Sequence, residues 1–356
     1  MLSYIIRRLL VVPVIAFILI LIVFALFYSL PPAVKVYAFL GGDKPPRISE
    51  INGLIKLHHL DQGFLTQFKE WLVGFTSDQD GKFYPGLLQG NLGWSVTAKM
   101  PVSQALGSFI PVTFELVIFS ILPILIGGVY LGVRAAVQQN RILDQLTRMM
   151  SITAYSVPVF VLGLVLLLVF YGGFGLFGTG RLSNASNNIV QNPALWHSYT
   201  NMYSIDALLN GNWDVFWDAV LHLILPMITL SFVNWALLVR ITRSSMLNTL
   251  KEDYVNTARA KGLKEKFVIN KHAFRNALIP VITISTLLIG GLLSGLVITE
   301  TVFGIRGVGL YFQKAATGLD IAGVLGFTIF VTILWVLTNL VADLMYAFVD
   351  PRVRLG

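Results

Sequence analysis

Hydrophobic and polar positions alternate along this chain in long blocks. Six apolar runs, at roughly 9–30, 109–134, 149–171, 218–240, 277–300 and 323–348, are separated by polar stretches. Each is about 20 residues or longer, enough to cross a hydrocarbon core as a helix. Lipid leaves no partner for an unpaired backbone group, so all six are expected to be helical. Residues 31–107 form the largest polar block. Within it, Ile48 to Phe75 carries Leu54, Leu57, Leu60, Phe64, Phe68, Trp71 and Leu72 at mixed spacings of 3 and 4, which predicts helix. Asp78-Gln-Asp-Gly81 predicts a turn, and Gly90-Asn-Leu-Gly-Trp-Ser95 a compact return to the membrane. A second polar block, 172–217, is rich in Gly and Asn and holds Trp196, Tyr199, Tyr203, Trp213 and Trp217. Part of that aromatic content is expected at the membrane interface.

The block at 241–276 differs from the others. Thr249 and Glu252 have capping-box spacing, and Gly262 supplies a stop, which predicts a helix of about 12 residues between them. So short a helix is marginal alone in water. Its small residues (Ala258, Ala260, Gly262) and the cations at its end suit docking on a partner.

Composition and charge fix the class. With 55% hydrophobic residues, 12% charged and a mean hydropathy of +0.73, the chain has about half the charged fraction of soluble domains. The net charge of +8 invites a nucleic-acid reading, but its distribution argues against it. With the N-terminus inside, 16 of the 26 Lys and Arg fall on inner segments, from Arg7 and Arg8 to Arg352 and Arg354. The short outer loops hold only Arg181, Arg306 and Lys314. This positive-inside pattern places both termini in the cytoplasm. Arg7-Arg8 before the first run resembles a signal-peptide start, but no small-residue cleavage site follows, so a retained anchor helix is expected. The chain divides into 1–30 (N-terminus and first span), 31–107 (extracytoplasmic subdomain) and 108–356 (a five-helix core with the loop 241–276). The absence of cysteine excludes disulfides and thiolate metal sites.

Candidate chemistry is sparse. No phosphate-cradling glycine motif occurs; Gly41-Gly-Asp-Lys44 has the wrong spacing, so any ATP must be bound by a partner. The histidines (His58, His59, His197, His222, His272) form no metal-ligand pattern. Ser294 before Gly295 lacks the first glycine of an intramembrane protease motif. Asn184-Ala-Ser186 is an acceptor-like sequon. Polar residues inside spans are costly and face a bundle interior or a cavity. Glu115, Asn234 and Asn339 are therefore candidates for a solute path, the alternative being structural hydrogen bonds between helices. Asp343 is expected to pair with an arginine near the inner interface. Gly128/Gly132 and Gly291/Gly295 are small-xxx-small patterns for close helix packing. Pro123, Pro158, Pro226 and Pro280 are expected to kink or start helices.

Several strings resemble one known family. They are Val157-Pro-Val-Phe-Val-Leu-Gly163, Leu225-Pro-Met-Ile-Thr-Leu230, Leu238-Val-Arg-Ile-Thr-Arg-Ser-Ser-Met246, Glu252-Asp-Tyr-Val-Asn-Thr-Ala-Arg-Ala-Lys-Gly262, Arg275-Asn-Ala-Leu-Ile-Pro280, Glu300-Thr-Val-Phe-Gly304, Gly307-Val-Gly309 and Asp343-Leu-Met-Tyr-Ala-Phe-Val-Asp-Pro-Arg352. Together they resemble the permease subunits of dipeptide/oligopeptide ABC importers, from Tyr4 to Arg354. The resemblance implies an all-α integral membrane protein of six transmembrane helices, a type I importer permease bundle. It implies that Asp253, Tyr254, Asn256, Thr257, Ala258, Arg259, Ala260, Lys261 and Gly262 form the helix that couples to an ATPase. Asn256, Thr257, Ala258 and Gly262 fall at the E, A, A and G places of the family's EAA motif. Asn256 departs from the glutamate, leaving Asp253 and Arg259 as candidates for its ionic contact. The distance from Gly262 to Pro280 also exceeds the general pattern.

The implied partners are a homologous second permease, two cytoplasmic ABC ATPases, an extracytoplasmic solute-binding protein and the lipid bilayer of the inner membrane, with no nucleic acid. No cofactor is expected in this chain. Short peptides are the implied cargo, with oligosaccharides, and less so nickel, as alternatives within the family. Trp94, Trp196 and Trp213 would suit sugar stacking. Segments 76–86 and 181–215 look longer than in a minimal member, shaping the binding-protein contact or merely decorating the surface. A secondary transporter working without an ATPase is the rival class, and a membrane enzyme lacks any catalytic constellation.

Overall fold

The computed structural model describes residues 2–39, 47–78 and 80–349. Gly41 to Lys44, Gln79 of the predicted turn, and Asp350-Pro-Arg352 with Arg354 lie outside the described residues. Among the described residues, five helices are long and apolar enough to cross a membrane: span 1 (Leu9–Tyr28), span 2 (Val102–Val137), span 4 (Trp213–Thr249), span 5 (Glu265–Leu293) and span 6 (Ile321–Met345). The third apolar run is not one helix. It is a pair, Ile142–Ser156 and Val159–Gly173, bent by 99°, and we call it span 3. Pro158 causes the break: it lacks an N–H and pushes Val157 out of the helical region, to φ −95°, ψ 120°. Pro123, Pro226 and Pro280, by contrast, are accommodated inside continuous helices.

Span 3 still runs the length of the bundle. Asp144 at its start is held by Arg243, and Ser183, ten residues beyond its end, donates its backbone N–H to Asp218. Both partners lie on span 4, roughly 37 Å apart at 1.5 Å per residue. Spans 2 and 4, of 36 and 37 residues, are each over 50 Å long at that rise and must project beyond a hydrocarbon core of about 30 Å.

The fifth apolar run also ends sooner than expected. Span 5 stops at Leu293, Gly295 turns the chain at φ +117°, and Val297–Phe303 is a separate short helix. Val308–Thr317 follows before span 6. The subdomain is likewise divided. The predicted helix over Ile48 to Phe75 is two, Ile48–Leu57 and Phe64–Val73, separated by a turn with His59 at φ +48°. Two short antiparallel hairpins, Phe75–Thr76 with Phe83–Tyr84 and Trp94–Ser95 with Met100–Pro101, follow them.

Two larger apolar cores join the spans. The central one joins spans 2, 4 and 5 through Leu116, Ile124, Leu225, Leu238 and Val281. Gly128 and Gly132 let span 4 approach: a Cβ would meet Leu238 at 2.8 Å and Thr242 at 2.5 Å. On span 5 the close-packed glycine is Gly290, against Thr338 and Trp335, while Gly291 faces open space. The peripheral core joins span 1, span 6, the subdomain and the start of span 2 through Phe24, Phe27, Phe68, Val102 and Phe327.

Candidate functional site

The polar loop between spans 4 and 5 carries the site. Span 4 does not stop before Thr249 but runs through it, and Thr249 Oγ1 donates back to the Ser245 carbonyl. The predicted Thr249/Glu252 capping box is therefore not formed. Residues 250–252 turn the chain, Glu252 takes the N-cap position without a side-chain cap, and the helix is Asp253–Ala260, eight residues rather than about 12. Asp253 in the first turn favours it by facing the positive end of the helix dipole. Its other end closes as predicted at Gly262. With Gly262 at φ +73°, its N–H reaches the Arg259 carbonyl and the Leu263 N–H reaches that of Ala258, the Schellman pattern.

This helix is too short to stand alone, and its anchoring is explicit. Val255 and Ala258 are buried in a third apolar cluster with Ala136 of span 2, Met246 of span 4 and Val268, Ala273 and Ala277 of span 5. Ser245 Oγ donates to the Ala277 carbonyl, tying spans 4 and 5. Asn276 Nδ2 donates to the Tyr254 hydroxyl. The opposite face is bare: Asp253, Tyr254, Asn256, Thr257, Arg259, Ala260, Lys261 and Gly262 are exposed. Ala258 alone among the nine expected coupling residues points into its own chain. Arg259 is engaged internally. Its Nε and Nη2 donate to the Glu265 carboxylate at 3.2 and 2.9 Å, and Nη1 lies 3.4 Å from the Leu250 carbonyl and from Asn256 Oδ1. Beyond Gly262, a π-helical stretch, Val268–Ala273, joins the loop to the rest of span 5.

The three solute-path candidates are not brought together by any hydrogen bond among the described residues. Glu115 is buried and saturated: it accepts from Arg181 Nη2 at 2.8 Å, from the Ser204 N–H at 2.6 Å and from Ser204 Oγ at 2.7 Å. Arg181 also lies 3.7 Å over the Tyr203 ring. Glu115 thus fastens the segment between spans 3 and 4 onto span 2. Asn234 Nδ2 donates to the Leu230 carbonyl within its own helix. Asn339 is exposed on span 6 of the single chain. Trp196 is buried in a small cluster with Ala207 and Val215, whereas Trp213 and Trp217 are exposed.

Sequence reasoning missed three carboxylates that lock elements together. Asp144, fully buried, accepts from Arg243 Nε at 2.5 Å, Arg243 Nη2 at 2.9 Å and the Asn140 N–H. Glu300, also buried, accepts from Thr113 Oγ1 and from the Leu310 N–H, so it caps the helix Val308–Thr317. Asp320 accepts from Ser95 Oγ, the Thr97 N–H and the Gly323 N–H, joining the subdomain to the start of span 6. The one available signal was an acid beside a long apolar run. Among the described residues no cluster of His, Asp or Glu could hold a metal ion.

The chain is thus a polytopic helical membrane protein with an exposed short helix anchored by one face to the ends of three spans. A family profile described as the binding-protein-dependent transport system inner membrane component matches residues 128–355, and that of its N-terminal region matches residues 1–117. The chain belongs to this family of multi-pass membrane permeases. It is 42% identical over 276 residues to a probable D,D-dipeptide transport system permease protein of Escherichia coli K12, covering 77% of this chain and 79% of the relative. It is 35% identical to a dipeptide transport system permease protein of the same organism over 99% of both chains. It is 32% identical to an oligopeptide transport system permease protein of Bacillus subtilis over 87% of both.

Proposed function

We propose that this chain is the transmembrane permease subunit of an ATP-driven importer of short peptides in the bacterial inner membrane. Both termini and the helix Asp253–Ala260 face the cytoplasm, and the subdomain of residues 31–107 faces outward. A homologous second permease completes the pore, two ABC ATPases bind the ATP, and a solute-binding protein delivers cargo to the outer face. The chain performs no bond chemistry and holds no cofactor of its own. The single observation carrying this reading is the exposed face of Asp253–Ala260 on a helix fixed to spans 2, 4 and 5 by Val255 and Ala258. A rigid lever of this kind turns ATPase closure into rigid-body motion of the spans. Its docking face is Asp253, Tyr254, Asn256, Thr257, Ala260 and Lys261; Ala258 and Gly262 shape the helix instead. Arg259 is spent on Glu265, so Asp253 takes the ionic role of the missing glutamate.

Peptide cargo is favoured over oligosaccharide or nickel by the names of the relatives, which are dipeptide and oligopeptide permeases. Burial of Trp196 also removes one of the aromatics suited to sugar stacking. The test is uptake by proteoliposomes holding the assembled transporter and its binding protein. ATP-dependent accumulation of labelled dipeptide is expected. Uptake driven by an ion gradient without ATP would overturn the class, and uptake of oligosaccharide but not dipeptide would overturn the cargo.

A further inference from the structure

A cavity of about 290 Å³ lies between span 1, span 6 and the subdomain, remote from the polar loop. Phe24 and Phe27 of span 1 and Ile329 of span 6 line it from the membrane side, and Trp71, His58 and Trp94 from the subdomain. Most of its wall is apolar. Two atoms break that pattern: His58 Nδ1 and Trp94 Nε1 are buried and have no hydrogen-bond partner among the described residues. Native folds seldom leave a buried donor or acceptor unmade, because its lost hydration is not repaid. Two such atoms on residues that line one cavity mark a place where something else completes the bonding.

The polar groups define what that is. An indole N–H only donates, so it needs an acceptor. His58 is neutral at cellular pH, since burial, with His59 beside it, holds its imidazole down to about 4. Glu70 on the wall is paired with His59, and the nearby Lys35 ammonium is spent on the Leu60 carbonyl and Gln67 Oε1. No free charge therefore faces the cavity among these groups. It suits an uncharged carbonyl acceptor continued by hydrocarbon.

Location selects between a lipid ester and a peptide. None of the lining residues belongs to the central core of spans 2, 4 and 5; Phe24, Phe27 and Ala322 belong to the peripheral one. Span 1 packs chiefly on span 6 and on Phe64–Val73, and its Ile22 and Leu26 are exposed apolar side chains on a helix long enough to cross a membrane. We propose that this cavity binds the ester-linked acyl region of a phospholipid from the leaflet on the subdomain side, with an ester carbonyl accepting from Trp94 Nε1 and the chain lying among Phe24, Phe27 and Ile329. The bound lipid acts as a filler between subdomain and spans.

The test uses full-length protein in liposomes doped with a phosphatidylethanolamine carrying a diazirine on one acyl chain. Crosslinks made on irradiation are mapped by mass spectrometry. Adducts are expected on the stretch around Trp94 as well as on the outward side chains Ile22 and Leu26. Leu325→Trp, which intrudes on the cavity, should abolish the Trp94-region adducts and leave those on Ile22 and Leu26 as an internal measure of insertion. Trp94→Phe keeps the ring and drops the donor; it should lower cavity labelling about fivefold, as expected for one neutral hydrogen bond. If Leu325→Trp fails to insert, Trp94→Phe decides alone. Labelling confined to Ile22 and Leu26 in the wild type would mean that only ordered water fills the cavity, and Trp94-region labelling unchanged in the variants would mean that it arises outside the cavity; either would overturn the proposal. So would loss of cavity labelling on adding excess dipeptide, which would assign the cavity to peptide.

Discussion

Deleting the Asp144 carboxylate separates a structural from a merely decorative ion pair. Asp144 has no exposed side-chain surface, and the Arg243 side chain is 20% exposed. Removing one partner of a buried pair costs roughly 3–5 kcal/mol; because Arg243 keeps some access to water, Asp144→Ala falls at the lower end, about 3 kcal/mol. Arg148, 3.8 Å away and half exposed, adds little. Reversible unfolding in mixed micelles would read this as a shift of about a hundredfold in the folding equilibrium. Arg243→Ala should cost as much or more, because it strands the carboxylate. The double variant should recover part of the loss, with a coupling energy of about 2 kcal/mol in the cycle. Peptide uptake per ATP hydrolysed should fall in Asp144→Ala while the ATPases still co-purify, because span 3 no longer follows span 4. A single-variant cost below about 1 kcal/mol, or single effects that simply add, would refute the clamp.

Three further outcomes follow from the geometry. Gly262→Ala should destabilise the loop by about 1 kcal/mol through its φ of +73° alone, since a Cβ there meets nothing, and hydrogen exchange at Leu263 should quicken; unchanged exchange counts against the Schellman closure. Ala258→Leu should overpack the cluster around Met246 by about 1–3 kcal/mol, whereas Ala260→Leu should leave stability intact and weaken ATPase co-purification; the reverse pattern would mean the helix docks by its other face. The His58 imidazole titrates near 4 in the folded chain against 6.5 unfolded, so the unfolded state binds more protons between those values. Stability of the subdomain is then complete above about pH 6.5 and declines towards pH 4, by at most about 3 kcal/mol, and His58→Phe should flatten that slope in a thermal melt.

The helical bundle was legible because lipid permits a long apolar run little else, and the six runs all appear as helical segments. Run length did not reveal where a helix breaks inside apolar surroundings. Pro158 breaks span 3 sharply while Pro123, Pro226 and Pro280 lie inside continuous helices, and the residue type alone does not separate them. Gly295 ends span 5 by a positive φ that the apolar pattern masks. At the loop, Gly262 was readable from local chemistry. The N-terminal end was not, because span 4 carries helix through Thr249 and overrides a capping signal that would operate in isolation. The sidedness of the short helix was also hidden. Ala258 and Ala260 are alike in sequence, and only the burial of Val255 three positions before Ala258 assigns the inward face. Glu115 read either as a pathway residue or as a structural hydrogen-bonding group, because its partners Arg181 and Ser204 lie far along the chain.

The distribution of links suggests where a push on the short helix would go. Its buried face touches spans 2, 4 and 5, the same helices that share the central core, and Asp144–Arg243 adds span 3 to that set. Span 1, span 6 and the subdomain are held by a different core, and Asp320 locks the subdomain to the start of span 6. The two bodies meet where span 2 begins, at Val102, Ala105 and Leu106, at the helix Val308–Thr317, which Thr113 and Glu300 tie to the central body, and along Gly290 against Thr338 and Trp335. Contact along Gly290 is made by a glycine and by side chains without charge, which can slide at less cost than a broken ion pair. Motion delivered at Asp253–Ala260 should therefore carry spans 2 to 5 as a unit and be taken up against span 6. Filling the Gly290 contact should impede transport while leaving ATPase assembly untouched: Gly290→Ala, whose Cβ would meet Thr338 at 2.9 Å, should lower uptake without loss of co-purifying ATPase. Unchanged uptake in a correctly assembled Gly290→Ala transporter would show that spans 5 and 6 move together.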